Sequence, residues 1–234
     1  MLVYGRNVAL EYLNNPKDIK KIYLQDSFSD EKIISLIEKS KLNVITKTKN
    51  ELDQLAKGVH QGIILDVHEY VYKDLADIIN KSDDSFIVIL DHIEDPHNLG
   101  AIIRTCEAAG VDGIIIPKDR STEVNATVLK TSAGAIKNCD VVQVVNLNQT
   151  IKELKDNGYW IYGTAMETNT SYRDVDYKGK VAIIIGNEGH GMSRLVKEAS
   201  DFIVRIPMYG KVNSLNASVS AGIMIYEVLR QKNK

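Results

Sequence analysis

Three runs of mostly branched aliphatic residues, each leading into a loop of polar residues and glycine, limit what this chain can fold into. Phe86–Leu90 leads into Asp91-His92-Ile93-Glu94-Asp95-Pro96-His97-Asn98-Leu99-Gly100, and a helix carrying Arg104 follows. Val181–Ile185 leads into Gly186-Asn187-Glu188-Gly189-His190-Gly191. Phe202–Ile206 leads through Pro207-Met208 and a polar loop to Ser214-Leu215-Asn216-Ala217-Ser218, then into an apolar helix ending near Leu229. Further strands are expected at Gly113–Ile116, Val141–Val145 and Trp160–Thr164, with helices at Leu99–Ala109, near Val124–Lys130 and at Thr150–Asp156. Near-continuous Ile/Val strands are buried on both faces, and such strands alternating with helices form a parallel α/β sheet. Ligands of an open α/β sheet bind beyond the carboxyl ends of its strands. The three loops are therefore the expected active site, and an enzyme is the expected class.

The front of the chain has a different rhythm. Residues 1–70 read as a small α/β unit. It holds a short helix at Asn7–Leu13, a strand at Lys20–Leu24, and a helix from a Ser29 cap to about Lys39 with Ile33, Ile34 and Ile37 on its apolar face. A strand at Val44–Thr46 precedes a capping box of Thr48 and Glu51, whose side chains each satisfy a backbone donor at the helix start. Gly58 is placed to end that helix, and Gly62–Val67 is a third strand. Residues 71–85 are the expected linker, with Lys81-Ser82-Asp83-Asp84-Ser85 its clearest part by composition, and residues 86–234 form the larger domain.

Composition removes several function classes. No run approaches the roughly 18 apolar residues that span a bilayer, and Met1–Arg6 lacks the basic and apolar regions of a secretion signal, so a cytoplasmic protein with no membrane partner is expected. The two cysteines, Cys106 and Cys139, form no C-x-x-C pair, and each reads as a small buried hydrophobe. A formal net charge of −2 neither supports nor excludes a nucleic-acid partner, because phosphate attraction depends on where charges sit.

The loops narrow the chemistry further. The 186–191 segment is G-x-x-G-x-G, late in the chain, and so is not a dinucleotide fingerprint; no Walker A lysine motif accompanies it. Asn98, directly before an apolar-periodic helix, has capping as its default role. Arg104 falls among Ile102, Ile103, Cys106 and Ala108, where a cation either snorkels to solvent or reaches a carboxylate or phosphate; Glu188 is a possible partner. His92 and His97 match no zinc spacing, and no metal is expected. No G-x-S-x-G elbow supports a serine hydrolase, and Ser214 and Ser218 read by default as loop and cap hydrogen-bonding residues. In the final helix, Ala217, Val219, Ala221, Ile223, Met224, Ile225, Val228 and Leu229 leave few polar positions, so a second cover is needed and a homodimer is the simplest source.

Taken together, Asp95–Arg104, Ile185–Met192 and Ile206–Met208 with Ser214–Ser220 resemble the three signature motifs of the SpoU family of RNA ribose 2′-O-methyltransferases, within the SPOUT superfamily, in order and separation. Val3–Val8 and His60–Ile63 resemble the opening and close of that family's N-terminal RNA-binding extension. The resemblance implies a parallel α/β sheet with a C-terminal trefoil knot, a homodimer, S-adenosylmethionine as methyl donor and RNA, not DNA, as substrate. With the front unit present, it is closest to members that methylate a guanosine of large-subunit (23S) ribosomal RNA; tRNA-modifying members usually lack that unit. Carried over by position, the donor pocket would use Thr164, Ala165, Gly186, Ile206, Met208 and Leu215. The catalytic positions would be Asn98, Arg104, Glu188, Ser214, Asn216 and Ser218, with Arg104 either a base or a phosphate clamp. The rival expectations are a tRNA ribose 2′-O-methyltransferase or an antibiotic-resistance methylase within the same class, a non-catalytic RNA-binding or ribosome-assembly protein on the same fold, and an unrelated nucleotide-binding oxidoreductase.

Overall fold

The structure is a computed structural model that describes residues 1–56, 58–79 and 81–232. Of the expected linker, Asn80 lies outside the described residues, as do the last two residues of the larger domain. The chain divides into two compact units: Met1–Val71 with Val124–Lys130, and Tyr72–Glu123 with Thr131–Lys234.

The first unit contains strands β1 (Leu2–Tyr4), β2 (Ile19–Gln25), β3 (Val44–Lys47) and β4 (Ile63–Val67), with helices α1 (Arg6–Asn14), α2 (Glu31–Ser40) and α3 (Lys49–Leu55). Its sheet is mixed, in the order β1-β4-β2-β3; β4 is antiparallel to both neighbours, and β2 and β3 are parallel. Ile22, Ile33, Leu52, Ile63, Ile64 and Val67 are fully buried and form its core. The capping box at α3 is present: Thr48 Oγ1 accepts from the Glu51 backbone N–H, and Glu51 Oε2 accepts from the Thr48 N–H at 2.8 Å. Two expected helix limits shift. Asp30, not Ser29, caps α2, because its carboxylate accepts from the Ile33 N–H at 3.2 Å. Helix α3 ends at Leu55 with Ala56 already extended, so Gly58 lies beyond it.

The second unit holds α4 (Leu75–Ile78), β5 (Phe86–Asp91), α5 (Pro96–Ala108), β6 (Gly113–Pro117), β7 (Val141–Val144), α7 (Leu147–Asp156), β8 (Trp160–Thr164), β9 (Val181–Gly186), α8 (Arg194–Ala199), β10 (Phe202–Val204) and α9 (Ala217–Gln231); of α6 (Ala126–Thr131), all but Thr131 is assigned to the first unit. All strand pairs of its six-stranded sheet are parallel, in the order β10-β8-β9-β5-β6-β7. Every residue of β5 and Val181–Ile185 of β9 is buried, as expected of strands covered on both faces. Strand β10 is shorter than expected and stops at Val204, which leaves Ile206 in the following loop. Helix α7 starts three residues early because Asn146 caps it, accepting from the Gln149 N–H at 3.1 Å. Among the described residues no helix is long and apolar enough to cross a membrane.

Candidate active site

The start of α5 sets the first element of the site. Pro96 fits the first helical position, and Asp95 caps the helix by accepting from the His97 N–H at 2.9 Å. Asn98 therefore lies inside the first turn, not before it, and its side chain is released from the capping role expected of it. It is 5% exposed and points its amide into a junction of three distant stretches.

At that junction Glu188 Oε1 accepts from Asn98 Nδ2, from Asn216 Nδ2 at 3.1 Å and from the Ala217 N–H at 3.4 Å. Asn216 Nδ2 also donates to Asn98 Oδ1 at 3.0 Å. The other end of Asn216 caps α9, with Oδ1 accepting from the Ser218 N–H at 2.9 Å, the Val219 N–H at 3.3 Å and Ser218 Oγ at 2.6 Å. One amide thus fixes the start of the last helix and the direction of the Glu188 carboxylate. All donors converge on Oε1, and Oε2 has no partner among the described residues.

The loop that carries Glu188 is held by a set of hydrogen bonds. Asn187 and Gly191 exchange both backbone hydrogen bonds, at 3.0 and 2.8 Å. Asn187 Nδ2 donates to the His92 carbonyl at 2.7 Å. The buried Asp91 carboxylate accepts from the Ser193 N–H at 2.6 Å and pairs with His92 Nδ1 at 2.5 Å. This strap ties the end of β5 to the loop after β9. Gly186 is required at its base: an added Cβ would lie 2.4 Å from the Gly191 carbonyl carbon and 2.5 Å from Met192 N, both backbone atoms.

Beside the junction a cavity of about 340 Å³ opens past the carboxyl ends of β8, β9 and β10. Thr164, Ala165, Gly186, Ile206, Met208 and Leu215 all line it, as do Glu188 and Ser214. Thr164 is steadied by a hydrogen bond from Oγ1 to the Ile184 carbonyl at 2.9 Å. Walls that combine Ile185, Val204, Ile206 and Leu215 with Glu167, Lys197 and Arg205 suit a small organic ligand that has apolar and polar parts. Asn98, Arg104, Asn216 and Ser218 are not among the lining residues. Arg104 is exposed on α5, and among the described residues it makes no hydrogen bond or ion pair; Glu188, its suggested partner, is engaged elsewhere. His92 and His97 have separate partners, Asp91 and Thr131.

Sequence reasoning missed several residues. Met166, Met192, Lys197, Arg205 and Asn213 line the cavity but stand outside or at the margins of the motif segments. Lys197 of α8 pairs with Glu167, three residues past β8, at 3.2 Å, a contact with no local sequence signal. Asp91 stands in the sequence as the first residue of the polar loop after Leu90, with nothing local to signal its contact with Ser193.

Comparison with known proteins gives the family. A profile of the SpoU rRNA methylase family matches residues 85–226. A second profile, described as RNA 2′-O ribose methyltransferase substrate binding, matches residues 2–73. A Staphylococcus saprophyticus protein named "Putative TrmH family tRNA/rRNA methyltransferase" is 46% identical over 240 residues, covering 100% of this chain and 96% of its own. Its Staphylococcus haemolyticus namesake is 45% identical over 241 residues, covering 100% and 97%. Among solved structures, the AdoMet complex of the SpoU methyltransferase AviRb from Streptomyces viridochromogenes superposes with a TM-score of 0.82 at 24% identity, covering 100% of this chain and 90% of that one. The AdoMet-bound rRNA methyltransferase from Sinorhizobium meliloti gives 0.80 at 25% identity, covering 98% and 86%. The chain belongs to the SpoU/TrmH family of RNA methyltransferases.

Proposed function

We propose that this enzyme transfers a methyl group from S-adenosylmethionine to a ribose 2′-hydroxyl of RNA, and that the acceptor is a guanosine of large-subunit ribosomal RNA. The observation that carries the reading is the hydrogen-bonded junction of Asn98, Glu188 and Asn216 beside the β8–β9–β10 cavity. The substrate-binding profile over residues 2–73 supports ribose as the acceptor, and the AdoMet-bound relatives of the same fold support the donor.

Bound S-adenosylmethionine supplies an electrophilic methyl group on a sulfonium. Thr164, Ala165, Gly186, Ile206, Met208 and Leu215 would hold it, with Gly186 allowing close backbone approach. Transfer to oxygen is an in-line displacement, so the protein must fix the hydroxyl opposite the sulfur. Asn98 and Asn216 act as positioning residues, because each donates to Glu188 Oε1 and so aims Oε2 outward. Oε2 is the acceptor available for the hydroxyl hydrogen bond. A guanidinium offers five N–H donors in a fixed fork and no acceptor, so Arg104 serves as a clamp for an RNA phosphate rather than as a base. Ser218 braces Asn216, and Ser214 shapes the cavity wall. Arg104→Lys keeps the charge without the fork and retains part of the RNA affinity; wild-type methylation by Arg104→Ala would contradict any role for it.

The same reading extends to organisation. Residues 1–70 bind RNA, 71–85 link and 86–234 form the knotted methyltransferase domain of a cytoplasmic homodimer. The partly exposed face of α9 supports the dimer: Val219 and Tyr226 are 49% and 52% exposed, whereas Met224, Ile225 and Val228 are buried. Transfer RNA is the second reading, favoured by 32% identity to an A. aeolicus TrmH/SpoU tRNA modifying enzyme that covers 67% of this chain and 80% of its own. Mapping 2′-O-methyl groups in ribosomal and transfer RNA from a deletion strain tests both. Loss of one ribosomal guanosine mark supports the first, loss of a tRNA mark replaces it with the second, and no lost mark contradicts both.

A further inference from the structure

The first unit has its own cleft, of about 530 Å³, lined by Arg6, Phe28, Lys49, His60 and Gln61 among others. We infer that this cleft seats a single unstacked nucleotide of the RNA. The inference rests on the RNA methyltransferase reading and adds to it a specific place where the substrate is gripped.

The floor is built around a buried histidine. His60 is 4% exposed, and both ring nitrogens are used: Nδ1 accepts from the Gly62 N–H at 3.0 Å, and Nε2 meets Asp53 Oδ1 at 2.9 Å. An Nδ1 that accepts carries no proton, so the ring proton sits on Nε2 and points at Asp53. This arrangement holds the backbone of Gln61 and Gly62 in the left-handed region, at φ 53° and 84°. A non-glycine residue held at such an angle is a form of strain that collects at binding sites.

The strained turn presents Gln61 to the cleft. Its Oε1 accepts from the Arg6 backbone N–H at 2.9 Å, so the Nε2 amino group is the end left to donate, and it has no partner among the described residues. The Arg6 guanidinium lies 5.3 Å from the centre of the Phe28 ring, with one weak ion pair to Asp30 at 3.5 Å. Lys49 is exposed and has no ion pair among the described residues. Two cations, a half-buried aromatic ring and a free amide donor face one cleft. The cations suit a phosphate, a guanidinium plane over a ring suits a stacked base, and an amide donor suits a base-edge acceptor. The volume lies within the ordinary range for small-molecule sites, roughly 300–1,000 Å³. Asp53, which also lines the cleft, accepts a hydrogen bond from the His60 ring, and Asp30 pairs with Arg6.

The test uses the full chain and two probes, an unmodified large-subunit ribosomal RNA transcript and bulk transfer RNA, in filter binding across a salt series. Lys49→Ala is expected to weaken binding roughly tenfold and to lower the log–log salt slope by about 1, the mark of a lost phosphate contact. Gln61→Glu keeps the acceptor for Arg6 while removing the free donor; it should weaken binding roughly tenfold. Melting temperature and S-adenosylmethionine affinity serve as folding controls and should stay at wild-type values. RNA affinities within twofold of wild type for both variants would overturn the nucleotide seat and leave the methyltransferase reading standing. A wild-type chain that binds S-adenosylmethionine but neither RNA would overturn both.

Discussion

The two clefts of this molecule are built on opposite plans. The cavity past β8, β9 and β10 is shaped by backbone: a glycine that admits no Cβ, a loop closed by paired main-chain hydrogen bonds, and aliphatic walls. The cleft of the first unit is shaped by side chains: cations, an amide and a ring around a buried histidine. A backbone frame suits a ligand that never changes. Long polar side chains suit a polymer whose local shape must be accommodated. The difference also governs how damage spreads: a substitution in the first cleft removes one contact, whereas one in the second unit's loops displaces several.

That contrast predicts an order of effects. Glu188→Ala removes the shared acceptor for Asn98, Asn216 and the Ala217 N–H, and should lower the methyl-transfer rate about 100-fold or more, read by transfer of a radiolabelled methyl group to RNA. Gly186→Ala places a Cβ against backbone at 2.4 Å; calorimetry should show cofactor affinity reduced at least about tenfold, with stability lower by about 1–3 kcal/mol. If Gly186→Ala bound cofactor normally, the backbone plan for that cavity would be wrong.

In the first unit Thr48→Ala should cost about 1 kcal/mol, confined to amide-exchange protection of α3. The Glu51 carboxyl is held down at about 2 from an ordinary 4.5, chiefly by the Thr48 backbone N–H. A depressed carboxyl pKa stabilises the fold above its ordinary value and loses that contribution as pH falls through the depressed one. Protection of α3 should therefore be level near neutrality and fade from about pH 4.5 toward 2; Glu51→Gln should flatten that profile. The smallest effect concerns the cysteines. Burial pushes the Cys139 thiol up to about 12 and Cys106 well above its usual range. Iodoacetamide at pH 8 should label neither in the folded chain, and both in guanidinium chloride.

The sequence spoke most clearly where residues serve one element. Strands β5 and β9 are legible because burial on both faces demands unbroken aliphatic runs. Strand β1 has three residues and α8 has six, too short for either period to show. Helix α5 was placed late because apolar periodicity begins at Leu99, although Asp95 and Pro96 already mark its start. That shift matters for the site: it moves Asn98 from a cap into the junction with Glu188 and Asn216. Residues from the three loops meet there, as expected from strands ending on one side of a sheet. The Asp91–Ser193 strap and the Glu167–Lys197 pair were not legible, because each joins distant residues and neither carries a local pattern.

The most direct test is single-turnover methyl transfer by Asn98→Ala, with cofactor affinity measured on the same preparation. Asn98 does not line the cavity yet orients Glu188. The expected result is a rate lower by about 100-fold with S-adenosylmethionine affinity unchanged. A wild-type rate would contradict the assignment of the Asn98–Glu188–Asn216 junction to the chemistry.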